Sequence, residues 1–221
     1  VLPVVLAFMA MQDAATMLGR LRAVGWNGLL GGLCLTGAFV GWVLALTMTT
    51  VANAAFVLAS MPFLAALFAR LLLGEPIRVV TWVATALAGL GVAVIALPGA
   101  GSGRLAGTLL ALFSCICFAL FSVTLRRART LDSSPSLVLG ALLSAAACVL
   151  LLSLERGPGA LVIGWRDLAL CAVMGVVQIG CGLIAFAAGS RRLPAADLLL
   201  LAQTEIILAP VWAWLAIGEV P

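Results

Sequence analysis

Apolar residues run through this chain in long blocks separated by short polar breaks, at 28–48, 52–73, 79–97, 105–125, 137–154, 168–190 and 195–217. Residues 1–11 read as the tail of one more block. A helix rising about 1.5 Å per residue needs roughly twenty such positions to cross a hydrocarbon core of about 30 Å. None of the blocks shows the strict alternation of a membrane β-strand, so the pattern predicts an all-α, polytopic helical bundle. The breaks carry helix terminators: Gly74-Glu75-Pro76, the run 98–103, Ser133-Ser134-Pro135, Gly157-Pro158-Gly159 and Leu193-Pro194. They are too short to hold a soluble domain. The longest polar stretch, 12–27, suits the membrane interface through Arg20, Arg22 and Trp26. Residues 1–11 lack the basic start and cleavage-like site of a signal peptide.

Composition turns that pattern into a membrane protein. Hydrophobic residues make up 65% of the chain, charged residues 9%, and the mean hydropathy is +1.28, far from the roughly even apolar share and about one-quarter charged share of soluble domains. All 12 basic residues are arginines. Sorted by alternate loops, nine (Arg20, Arg22, Arg70, Arg78, Arg126, Arg127, Arg129, Arg191, Arg192) fall on one side and three (Arg104, Arg156, Arg166) on the other. The positive-inside rule puts the nine in the cytoplasm, across an inner or plasma membrane. The net charge of +4 is thereby accounted for by orientation and implies no nucleic acid partner.

The blocks also repeat. Residues 52–75 return 144 positions later as 196–219, matching at Ala52/Ala196, Leu64/Leu208, Ala65/Ala209, Ala69/Ala213, Leu71/Leu215, Gly74/Gly218 and Glu75/Glu219. The register sets Arg191 and Arg192 opposite Thr47 and Met48, so equivalent loops differ in charge as inverted copies would. Extending it predicts repeats at 1–98 and 104–221, five helices each and ten in all. About eight are represented, with the first and last missing. Because five is odd, the copies must be inverted.

The segments Leu-Gly-Glu-Pro at 73–76 and Ile-Gly-Glu at 217–219 have the form of EamA repeats. They are preceded by Thr-Thr-Val-Ala-Asn-Ala-Ala at 49–55 and Arg-Arg-Leu-Pro-Ala-Ala at 191–196. Together with Pro62 and Glu205, they make nearly the whole chain resemble the EamA repeats of the drug/metabolite transporter superfamily. The second copy departs from that pattern in one place, since Ile206 follows Glu205 where the family usually has proline. The resemblance implies a ten-helix carrier with both termini cytoplasmic, a small-molecule substrate in a cavity between the repeats, and export as the more usual direction.

The residues themselves point to the same region. Pro62 and Pro210 each lie mid-block in equivalent copies, where proline removes an amide donor and frees the carbonyl four residues back, Leu58 or Ile206. Paired interruptions of this kind mark the binding region of inverted-repeat transporters. Glu205 lies deep in its block, ten residues from Ala195 and twelve from Ile217. A charge at a helix centre costs about 2.5–3.5 kcal/mol on insertion scales, so it should face a cavity or partners. Burial favours the neutral form of a carboxyl, which suits exchange of a proton for a cationic substrate group. A structural carboxyl bonded to a neighbouring helix is the alternative. Gln178, Gln203, Thr204 and Ser60 would line the path with the freed carbonyls, although an interhelical hydrogen bond is the simpler role for Gln178, Gln203 or Thr204. The blocks show no mid-membrane Arg or Lys, which favours neutral, zwitterionic or cationic cargo.

Other marks take plainer readings. Asp197 suits a helix N-terminus. Gly28, Gly32, Gly37 and Gly41 permit close helix packing within the bundle, with a homodimer face as the alternative. The six cysteines read as small apolar fillers, and with no histidine present no metal site or other cofactor is expected. The absence of His, Lys and Tyr removes the usual acid, base and dyad chemistry, so an enzyme is not expected. A non-transport scaffold or channel-like subunit remains the alternative to a carrier.

Overall fold

A computed structural model describes residues 25–74, 76, 79–96, 104–127, 134–156 and 164–204. Glu205, Pro210, the partial block 1–11 and Glu219 lie outside these residues. All regular structure among the described residues is helical: α1 (Trp26–Met48), α2 (Val51–Leu58), α3 (Met61–Leu73), α4 (Val79–Ala96), α5 (Arg104–Arg127), α6 (Ser134–Arg156), α7 (Trp165–Val173), a π-helical segment (Met174–Gly180), α8 (Cys181–Gly189) and α9 (Ala195–Ala202). Trp26 opens α1 and is exposed, as an interfacial anchor should be. Five helices are long and apolar enough to cross a membrane if α2–α3 and α7–α8 each count as one crossing. Their outer faces carry large apolar side chains such as Leu33, Leu109 and Leu154.

Among the described residues, the predicted blocks and the observed helices agree closely except in two places. The block 52–73 is two helices, parted at Ala59 and Ser60. Pro62, expected in mid-helix, instead lies in the first turn of α3. A first-turn residue has no intrahelical acceptor for its amide, so proline loses nothing there. The block 168–190 is interrupted by the π-helical Met174–Gly180, which hydropathy does not reveal because every residue of the block is apolar or small apart from Gln178.

α3 ends on Gly74, whose φ of 70° is left-handed and whose amide donates to the Ala69 and Arg70 carbonyls. A Cβ there strains the backbone by roughly 1–2 kcal/mol. Gly74→Ala should therefore lower the thermal midpoint of the detergent-purified protein, and an unchanged midpoint would mean that this helix end re-forms without the left-handed turn. At α9 the cap position is Pro194, which makes no side-chain cap bond. Asp197 contributes only its charge in the first turn.

α5 is the hub of the bundle and touches α1, α2, α3, α4 and α9. Its face of Ala111, Cys115 and Ala119, at spacings of four, is fully buried and lets α2 and α3 approach closely. Glycines do the same on α1. An added Cβ at Gly32 would lie 2.9 Å from Leu139 of α6, and one at Gly37 would lie 2.8 Å from Cys117 Sγ of α5. The glycine pattern of α1 is thus spent on packing inside the bundle. Because helices in lipid gain little from hydrophobicity when they associate, short hydrogen bonds add specificity to these seams. Ser114 Oγ donates to the Ala38 carbonyl at 2.6 Å. Thr36 Oγ1 is shared between the Gly32 and Gly140 carbonyls, at 2.9 and 3.3 Å. On the other side of α5, Phe118 and Phe121 meet Phe186 of α8.

The cysteines divide. Cys115 is buried and Cys34 and Cys117 are half-buried, in keeping with a filler role. Cys148, Cys171 and Cys181 are exposed, so filling does not describe them. An apolar block has an outward face, and hydropathy does not separate that face from the inward one.

Candidate functional site

The site is built around the break between α2 and α3. With proline at position 62, the Leu58 carbonyl has no amide four residues ahead to accept from. The chain tightens before it. Ser60 donates to the Val57 carbonyl twice, from its amide at 3.0 Å and from Oγ at 2.6 Å. The Cys115 thiol of α5 reaches the same oxygen at 3.6 Å. Ser60 O then starts α3 by accepting from the Phe63 and Leu64 amides, both at 3.1 Å.

Val57 is therefore well supplied with donors, and Leu58 is supplied from elsewhere. Gln203, just past the end of α9, donates from Nε2 to the Leu58 carbonyl at 3.2 Å, across 145 positions of sequence. The orientation of that amide is determined, because turning it over would set Oε1 against another acceptor. Gln203 Oε1 is consequently left buried without a hydrogen-bond partner. At about 1.5 Å per residue, Leu58 and Gln203 each sit about 10–12 Å in from the start of their own helix, Val51 and Ala195. The bond thus lies about two helical turns in from each of those starts.

Among the expected site residues, Pro62, Ser60 and Gln203 come together. Ser60 is buried, with its hydroxyl committed to Val57. Thr204 is exposed and its Oγ1 donates to its own helix at the Leu201 carbonyl, 2.7 Å away, so it stands apart from the break. Gln178 lies in the π-helical segment, a type of wide turn often found at functional sites. Glu205 and Pro210 are outside the described residues. The interhelical role considered for Gln203 is the one it plays, on a carbonyl that Pro62 freed. Sequence reasoning missed Cys115, because apolar-block spacing says nothing about which carbonyl a thiol will reach. It also missed the exact break, although Ser60 followed by Met61-Pro62 is a helix-start pattern.

Chemically, the break offers acceptors: the Leu58 carbonyl, Gln203 Oε1 and the carbonyl end of α2. A broken crossing joined to its counterpart in the other half of the chain suits a path for small polar molecules better than a rigid scaffold.

Comparison with known proteins decides the family. The sequence profile described as the EamA-like transporter family matches twice, over residues 1–97 and 105–221. The chain belongs to the EamA-like transporter family. It is accordingly a multi-pass helical membrane protein with the two-repeat EamA fold, and a membrane transporter of the drug/metabolite type. A solved structure, described as "Crystal structure of protein", superposes on this EamA-like chain with a TM-score of 0.66 at 26% identity, covering 100% of this chain and 81% of its own. Comparison with curated proteins gave no match.

Proposed function

We propose that this EamA-like protein is a secondary carrier that exports small metabolites or drug-like compounds across the cytoplasmic membrane by alternating access. Its repeats, 1–98 and 104–221, rock against each other with the arginine-rich loops on the cytoplasmic side. The observation that supports this reading is the Gln203–Leu58 contact, which joins the two family-matched regions at the break before Pro62. Glu205, two positions beyond Gln203, binds a proton or a substrate amine. The carbonyls freed by Pro62 and Pro210 and the side chains of Gln178, Gln203, Thr204 and Ser60 contribute polar groups along the path. Cargo that is neutral, zwitterionic or cationic fits an acceptor-rich break with no fixed cation.

The test uses purified full-length carrier in proteoliposomes, screened against a broad metabolite panel. For any transported compound, Glu205→Gln should cut flux about 10–100-fold, the worth of one charge-assisted hydrogen bond, and abolish accompanying proton movement. Unchanged flux and coupling would remove Glu205 from the mechanism. No flux for any compound, with a partner protein co-purifying, would support a scaffold instead.

A further inference from the structure

Beyond Ser60, the seam between α3 and α9 is apolar and rich in alanine. Met61, Ala65 and Ala69 of α3 share one buried cluster with Ala195 and Leu199 of α9. It closes the arginine-bearing end of the bundle, where Arg70, Arg191 and Arg192 are exposed. Among the described residues, the seam shows none of the glycine interlocks or serine and threonine bonds that hold α1 to α5 and α6. Its inner end is marked by the bond from Gln203 to Leu58.

That bond is poised rather than strong. Closing the seam takes the Gln203 amide and the Leu58 carbonyl out of water and returns one hydrogen bond, while Oε1 is left buried and unpaired. Opening would let water satisfy all of these groups. The geometry points to Gln203 as the catch of a gate formed by α3 and α9: closed, it holds the carbonyl that Pro62 frees, and its unpaired Oε1 keeps the gate openable. This rests on the carrier reading, because a gate needs repeats that rock apart. Pro62 is then what gives the catch its partner. If position 62 carried an amide, it would compete from across the break for the Leu58 carbonyl, and Gln203 would hold that carbonyl less strongly on closure.

Cys115 reports on the gate because it is fully buried against Val57, at the same break. The experiment uses the full chain in nanodiscs, with N-ethylmaleimide as the probe. Alkylation is measured separately at Cys115 and at Cys34 and Cys117 by peptide mass spectrometry. Pro62→Ala sets a competing donor on the Leu58 carbonyl, weakens the catch and should speed labelling of Cys115 about fivefold. Pro62→Ala with Gln203→Leu leaves no orphaned group and should return labelling to the wild-type rate or below. Cys34 and Cys117, half-buried away from the break, should be unaffected in both variants. The gate is overturned if Pro62→Ala leaves Cys115 unchanged, if the double variant labels as fast as Pro62→Ala alone, or if all three cysteines rise together. Labelling needs no cargo, so a silent flux screen would count against the carrier reading without touching this result, and an unchanged Cys115 would remove the gate without touching transport.

Discussion

Gly107→Val should lower the thermal midpoint of the purified protein by about 6–12 °C. Gly107 lies near the start of α5, where the chain leaving α1 crosses it. An added Cβ would stand 2.6 Å from the Met48 carbonyl carbon and 2.7 Å from the Thr49 nitrogen. Both neighbours are backbone, so no rotamer change relieves the clash and α1 must move bodily off α5. Overpacking a well-packed site typically costs about 1–3 kcal/mol, and a clash with main chain belongs at the upper end. Gly91→Ala is the matched control. It is mid-helix in α4 with nothing within 4 Å of its added Cβ, and gains up to about 1 kcal/mol of helix propensity. Fluorescence-detected size-exclusion after heating would compare them. If Gly107→Val and Gly91→Ala melt together, the close crossing of α1 over α5 is wrong.

Phe121→Ala should come next, at about 3 kcal/mol. Phe121 is fully buried, its ring 5.7 Å from that of Phe118 and 6.3 Å from that of Phe186, the latter nearly parallel. Truncating such a residue in a soluble core costs about 3–5 kcal/mol. The low end applies here, because in lipid the transfer part of that cost shrinks while the lost contacts and the cavity remain. Phe121 joins α5 to α8 within the family's second matched region, and the cluster it shares with Leu35 of α1 reaches the first. The expected signature is a lowered midpoint that Phe121→Leu largely restores. Equal loss in both variants would mean that ring stacking, rather than volume, holds the seam.

The demands of lipid set how much of this was legible in advance. A crossing needs a length of apolar sequence, and so the blocks 28–48, 105–125 and 137–154 fall within a few residues of α1, α5 and α6. Lipid makes no such demand on which helix touches which. When every face is apolar, hydropathy cannot separate the outward Leu154 from the inward Leu35, and only rare polar or small residues mark a seam. Gly32 and Gly37 carried that signal, and Ser114 carried it without being recognised. At the site, Pro62 was readable as a lost donor on Leu58. The substitute donor was not, because Gln203 is 145 positions away and its choice of acceptor depends on how the two repeats cross. The split at Ala59 and Ser60 was half-readable, since proline forbids an interior bond but the chain chooses where to open.

The π-helical segment has a further effect on the crossing that contains it. Each wide turn holds one residue more than an α-turn, which amounts to about 100° of rotation of α8 relative to α7. Residues of α7 and α8 that a regular helix would stack on one face are therefore out of phase. α7 has no buried residue, while α8 turns Leu183 and Ala187 into the core. The two halves answer to different surroundings, lipid for one and the α5 aromatics for the other. Deleting a single residue between Met174 and Gly180 would bring them back into phase, and could do so only by swinging Leu183 out of the core or an outward face of α7 into it.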